Sequence, residues 1–175
     1  MKSKILFLLI FLILISHTTA SSQAKIAWIN SAAIMDKLPE AQDAQRQIDN
    51  FVADWQAELA KMQNDWQRKY EEYDKKKLIL TDQLRAQSEK ELQELEKKIA
   101  EYRNKKFGKD GELFVKQNDL MKPVQNKIFK VIQDIAKEED FDYVFDKSGD
   151  ILLMYSNDKY DLTDKVYQRL ISFTK

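Results

Sequence analysis

Cysteine is absent from this 175-residue sequence, histidine occurs once, at position 17, and glycine stands only at 108, 111 and 149. Without cysteine there is no disulfide, no thiolate zinc site and no thiol nucleophile. Three scattered glycines build neither a P-loop nor a dinucleotide fingerprint, because both need several glycines in one tight turn for the backbone to close around phosphate. Proline is as scarce, at 39 and 123. An excess of one charge is also missing: 29 basic side chains face 29 acidic ones, which removes the electrostatic case for a nucleic-acid binder. Residues 43–110 repeat the balance, with 15 basic and 15 acidic groups. The one long apolar run, residues 5–15, has 11 residues and falls short of the roughly 17–25 that a spanning helix needs.

What is abundant is Lys, Glu, Gln, Asp, Ala and Leu, in a chain 33% charged and 43% apolar, a composition suited to long helices. The apolar run follows Lys2 and Lys4 and precedes two small-x-small sites, Thr18-Thr19-Ala20 and Ser22-Gln23-Ala24. That is the pattern of a cleavable secretory signal peptide, assigned to residues 1–24 because the second site leaves Lys25-Ile26-Ala27-Trp28-Ile29 as an opening strand. The mature chain would hold 151 residues with 27 basic and 29 acidic side chains, a net charge of −2, and no histidine. General-base histidines and histidine metal sites are then excluded. Glu94, Glu101 and Asp110 lie in charged helical stretches without the convergent pattern of an acid/base pair. The expectation is a protein that is not an enzyme and carries no cofactor or metal.

The mature chain divides by hydrophobic period. A strand over residues 26–29 leads through Asn30-Ser31 to a short helical turn containing Ala32, Ala33, Ile34 and Met35, and Pro39 marks a boundary. From Glu40 to about Lys77 the apolar positions Ile48, Val52, Trp55, Leu59, Met62, Trp66 and Tyr73 are spaced 4, 3, 4, 3, 4 and 7, a heptad seam. Such a helix of 38 residues is about 57 Å long and must project as an arm. Leu78-Ile79-Leu80-Thr81 breaks the seam and reverses the chain. The return helix carries Leu92, Leu95, Ile99 and Tyr102, continuing in register through Lys106 and Lys109 to Leu113, Gln117, Leu120 and Val124. Ser88-Glu89-Lys90-Glu91 reads either as a capping box or as a polar helical stretch. Gly108 and Gly111 predict a bend, each costing about 1 kcal/mol relative to Ala, and Pro123 a kink or restart.

Past an amphipathic helix over residues 127–139 the period changes. Residues 143–145 and 151–155 read as two strands of a β-hairpin about the turn 147–150, and Asp161-Leu162-Thr163-Asp164 caps a last helix with Val166, Tyr167, Leu170 and Ile171 inward. The fold class is α+β: a long antiparallel helical-hairpin arm, residues 43–117, projecting from a small β-rich body formed by residues 25–42 and 118–175. About three short strands are marginal alone, so association of subunits is expected.

This arrangement resembles the Skp/OmpH family of periplasmic chaperones. The motifs that carry it are Lys-Ile-Ala-Trp-Ile-Asn at 25–30, the Ala-Gln-rich start of the arm, Phe-Asp-Tyr-Val-Phe-Asp at 141–146, Ile-Leu-Leu-Met-Tyr at 151–155 and Tyr-Asp-Leu-Thr-Asp-Lys-Val at 160–166. The resemblance implies a periplasmic homotrimer whose helical arms enclose a cavity. There unfolded outer-membrane β-barrel proteins are held without ATP. The chain departs from the family's best-known members, which are strongly basic, so attraction of acidic partners through overall charge does not carry over. The alternative is an exported coiled-coil scaffold or tether that binds one folded envelope partner; breadth of binding separates the two.

Several arm residues are candidates for client contact. Phe107, Phe114 and Met121 recur every seven residues beside the return seam, as a widened apolar stripe or as ordinary core. Phe51 and Tyr70 stand one step off the outgoing seam. Leu78, Ile79 and Leu80 at the tip suit either client or membrane contact, or closure of the hairpin. Lys97, Lys98, Arg103, Lys105, Lys106 and Lys109 form a basic run that reads as an electrostatic contact for anionic clients or a transient membrane contact, or as a solvated helix face.

Overall fold

The computed structural model describes residues 23–149 and 153–173, so the signal-peptide reading falls on residues 1–22, outside the described residues. The chain opens with β1 (Ile26–Ile29), in which Ala27 and Ile29 are buried and Ile26 is exposed. Asn30 then caps α1 (Ser31–Lys37), its Oδ1 accepting from the Ala33 amide at 2.9 Å. The long helix α2 (Pro39–Lys76) begins on Pro39, where the missing N–H would have no helical partner in any case. Its 38 residues match the length read from the heptad seam.

The return path is broken into two helices, α3 (Asp82–Phe107) and α4 (Glu112–Glu138). Thr81 caps α3 with its hydroxyl accepting from the Leu84 amide at 3.4 Å. Ser88 therefore lies inside the helix, its Oγ donating to the Leu84 carbonyl at 3.0 Å, and the polar-stretch reading holds over the capping box. The break at 108–111 falls on the two glycines. A Cβ on Gly108 would stand 2.3 Å from the Asn104 carbonyl oxygen, and one on Gly111 would meet the Gly108 backbone at 2.9 Å. Pro123 does not restart the helix as expected: α4 runs through it. It sits on the exposed side, while Val124 and Ile128 beside it face the core.

The expected β-hairpin is corrected. The strand β2 (Tyr143–Asp146) pairs with β1 in parallel, in the register Ile26↔Tyr143 to Ile29↔Asp146. Residues 153–155 hold no strand, and residues 151–152 lie outside the described residues. Instead of about three strands, the sheet has two among the described residues, extended by a bridge between Trp28 and Asp161. A parallel pair needs a long crossover, and here that crossover is the whole helical hairpin. A 3₁₀ turn (Asp158–Tyr160) and α5 (Thr163–Ser172) close the chain.

One hydrophobic core binds these pieces. Ala27 and Ile29 of β1, Ile34 of α1, Leu38, and Ala41 of α2 pack with Val124, Ile128, Val131 and Ile135 of α4 and with Leu162, Val166 and Leu170 around α5. Ile128, Val131 and Ile135 form the amphipathic stripe expected for residues 127–139, and Val124, one turn earlier, extends it. Asp146 ties β2 to α1, its carboxylate accepting from the Ser31 amide at 3.1 Å and hydroxyl, and from the Ser148 amide at 3.0 Å and hydroxyl at 2.7 Å. Burial pushes its pKa up, but the hydrogen bonds from Ser31 and Ser148 outweigh this and hold the carboxyl below its ordinary value.

Candidate functional site

The helical hairpin is the surface left over once this core is made. Its outgoing helix α2 packs first against α4, near the core, and then against α3 toward the tip. Beyond Ile48 the seam positions of α2, from Val52 to Tyr73, are half-buried, and on α3 only Leu92 is buried. Two helices in contact bury one stripe each and leave the rest to solvent, so a lone hairpin cannot hide every apolar residue that it carries.

At the level of the glycine break the hairpin is locked by an aromatic cluster. Phe51 stacks on Trp55 with centroids 5.7 Å apart, and Phe107 meets Trp55 edge-on at 6.0 Å. The Lys106 ammonium lies 4.6 Å over the Trp55 ring and 5.8 Å from the Tyr102 ring, and it pairs with Glu112 across the break. Lys116 stands 5.2 Å over Phe51. The hydrogen bond from Lys106 is the main reason that the Glu112 carboxyl lies below its ordinary value; burial opposes it, and the charges of Lys106 and Lys105 add to it. Nearer the tip, Trp66 stacks on Tyr70 at 5.2 Å, and the Tyr73 hydroxyl donates to Glu89 across the hairpin at 2.5 Å, a bond that raises the tyrosine pKa.

The sequence candidates therefore fall into different surroundings. Phe51, Phe107 and Lys106 are held in the cluster at the break. Met121 is half-buried beside Met35 and Ala41. Leu78 is 90% exposed, Ile79 83% and Phe114 51%, while Leu80 is half-buried and Tyr70 exposed on one face. Lys97 pairs with Glu101 at 3.8 Å and Lys105 with Glu112 at 3.7 Å. Lys98, Arg103 and Lys109 are exposed. The basic run is thus paired with its own acidic neighbours, and Glu112, just past its end, engages two of its six cations.

Sequence reasoning passed over Leu84, Val115 and Phe129, all exposed on the hairpin helices. The available signal was an apolar residue one step off a buried register, as Phe129 is from Ile128. Beyond the hairpin, Tyr143, Met154 and Tyr155 are exposed next to the strand pair, and a groove of about 510 Å³ runs there between Ile26, Trp28, Phe145, Leu153 and Tyr155. Among the described residues, no group of three or more acidic or histidine side chains is placed to hold a metal.

The architecture is thus a charged helical hairpin inserted in the crossover of a two-stranded parallel sheet, with apolar side chains left exposed along it. The chain belongs to the OmpH-like outer membrane protein family, whose sequence model matches residues 25–170. It is 29% identical over 155 residues to the chaperone protein Skp of Vibrio cholerae serotype O1, covering 86% of each chain. A solved OmpH-like chain from Caulobacter crescentus CB15 shares the fold, with a TM-score of 0.70 over 89% of each chain at 15% identity.

Proposed function

We propose that this protein is an ATP-independent holdase of the bacterial envelope, exported to the periplasm, which binds unfolded outer-membrane β-barrel proteins between helical arms contributed by several subunits. The observation that carries this reading is the exposure of large apolar groups along a charged hairpin, at Tyr70, Leu78, Ile79, Leu84, Phe114 and Val115. A binder of many unfolded sequences needs dispersed, adaptable apolar surface in place of one shaped pocket. Membership of the OmpH-like family and likeness to a relative named as the Skp chaperone support it.

Homotrimeric assembly belongs to the same proposal. A two-stranded sheet is at the margin of independent stability, and Ile26, Tyr143, Met154 and Tyr155 beside it are exposed in the single chain. In this reading those groups are covered by neighbouring subunits, while the arms stay free for client, with the basic run available for transient contact with anionic surfaces. The test is breadth. Turbidity of several unrelated urea-unfolded β-barrel membrane proteins should be suppressed equally with and without ATP. A scaffold would instead bind one native partner and leave that turbidity unchanged.

A further inference from the structure

The residue that follows the second candidate cleavage site is held at both ends. Lys25 donates its backbone N–H to the Asp142 Oδ2 at 2.7 Å, and its carbonyl accepts from the Asp142 amide at 2.8 Å. Its ammonium donates to the Glu139 carbonyl and lies 4.3 Å over the Phe141 ring. The cradle has a local cause. The helix α4 ends in a Schellman turn: Asp140 takes a φ of 54°, and the Phe141 amide reaches back to the Ala136 carbonyl at 2.9 Å. That turn sets Phe141 and Asp142 beside the carbonyl end of α4, where the helix dipole favours a cation. Gln23 and Ala24, just before it, are exposed and outside any element.

We propose that export processing cuts between Ala24 and Lys25, and that the α-ammonium so created pairs with the Asp142 carboxylate to fasten β1 onto the segment leading into β2. Hydrolysis adds one water across the Ala24–Lys25 amide, leaving a carboxyl on Ala24 and an amine on Lys25 that takes up a proton at neutral pH. The amide-to-carboxylate hydrogen bond, charged only on the acceptor, then becomes an ammonium–carboxylate ion pair at the same position, charged on both sides. Cutting after Ala20 would leave Ser21–Ala24 attached and Lys25 a neutral amide. The charged groups around the new amine are Asp142, Asp140 in the turn, the Lys25 side-chain ammonium, and Glu139, whose carboxylate is held by Lys165 of α5. This inference rests on the exported reading above, and its experiment separates the two.

Intact mass of the protein recovered after secretion should begin at Lys25. A start at Ser21 overturns the cleavage assignment, and a start at Met1 overturns both it and the exported reading. The ion pair is then read on mature chains made to begin at Lys25 or at Ser21, each with and without Asp142→Asn. The α-amine of the Lys25 form should titrate about one unit above its usual 7.7–8.0, a tenfold change in proton affinity, followed by the rate of amine acylation against pH. Asp142→Asn should return it to the usual range. Because the folded pKa is raised, the Lys25 form should exceed the Ser21 form in melting temperature below about pH 8, and this advantage should vanish as pH rises through the raised value. An α-amine with an ordinary pKa that ignores Asp142→Asn would overturn the ion pair, whatever aggregation assays show.

Discussion

The two ends of α2 live in different physical worlds. At its start, Leu38 and Ala41 join a core in which Ile34, Ile135, Val166 and Leu170 are fully enclosed by side chains from five elements. Thirty residues further on, the same helix has one neighbour, and its seam residues Trp66 and Tyr73 remain half exposed. Close packing makes the first region intolerant of lost volume. The second is held by a single half-buried stripe, the Tyr73–Glu89 hydrogen bond and a screened Lys69–Glu91 ion pair across the hairpin. What the contrast teaches is a difference within one continuous helix: the core end is fixed by close packing, and the arm end keeps its seam half open to solvent.

Replacing Ile135 by Ala should sharpen that comparison most, costing about 2–5 kcal/mol because a cavity is left among fully buried neighbours. Ile99→Ala, on the half-exposed arm seam, should cost less than half as much. Urea denaturation of the two variants gives the comparison, and equal losses would break it. At the junction, Gly108→Ala should cost about 1–3 kcal/mol, since its Cβ would press on the Asn104 carbonyl at 2.3 Å. The thermal midpoint reports this.

Asp146→Asn should cost about 2 kcal/mol at neutral pH, removing the charge that receives the bonds from Ser31 and Ser148. Because the folded pKa of Asp146 is depressed, its contribution is present above the unfolded carboxylate value near 4 and is lost as pH falls through the folded value. Wild type and variant should therefore converge in acid, as urea melts between about pH 7 and pH 2 would show. The smallest effect is expected at the tip: Leu78→Ser with Ile79→Ser should move stability by less than about 0.5 kcal/mol, while weakening client binding severalfold in a titration of unfolded protein.

Much of the arm was legible because a heptad seam is a local, repeated signal. Trp55, Leu59, Met62 and Trp66 announce one helix face without reference to anything distant, and β1 and α1 were marked by Ile26-Ala27-Trp28-Ile29 and the Asn30 cap. The strand pairing was not legible in the same way. The turn near Lys147 and Gly149 suggested a local hairpin, whereas the real partner of Tyr143 is Ile26, on the far side of the whole arm. No local pattern encodes a parallel pair, since its register is set by the core that α1, α4 and α5 build around it. The candidate surface was legible in part. Tyr70 and Phe114, beside the seams, and Leu78 and Ile79, at the tip, lie exposed, but nothing in the spacing distinguished Phe107, drawn onto Trp55, from Phe114, seven residues later and open to solvent.

The most direct measurement removes the arm. Replacing roughly residues 46–116 of the mature protein by a short linker keeps the core contributions of β1, α1, α5 and most of α4. Mass by light scattering and binding of urea-unfolded β-barrel membrane proteins are then followed on the same sample. The account predicts that self-association survives and client binding falls at least tenfold. Undiminished client binding, or loss of association with the arm, would contradict it.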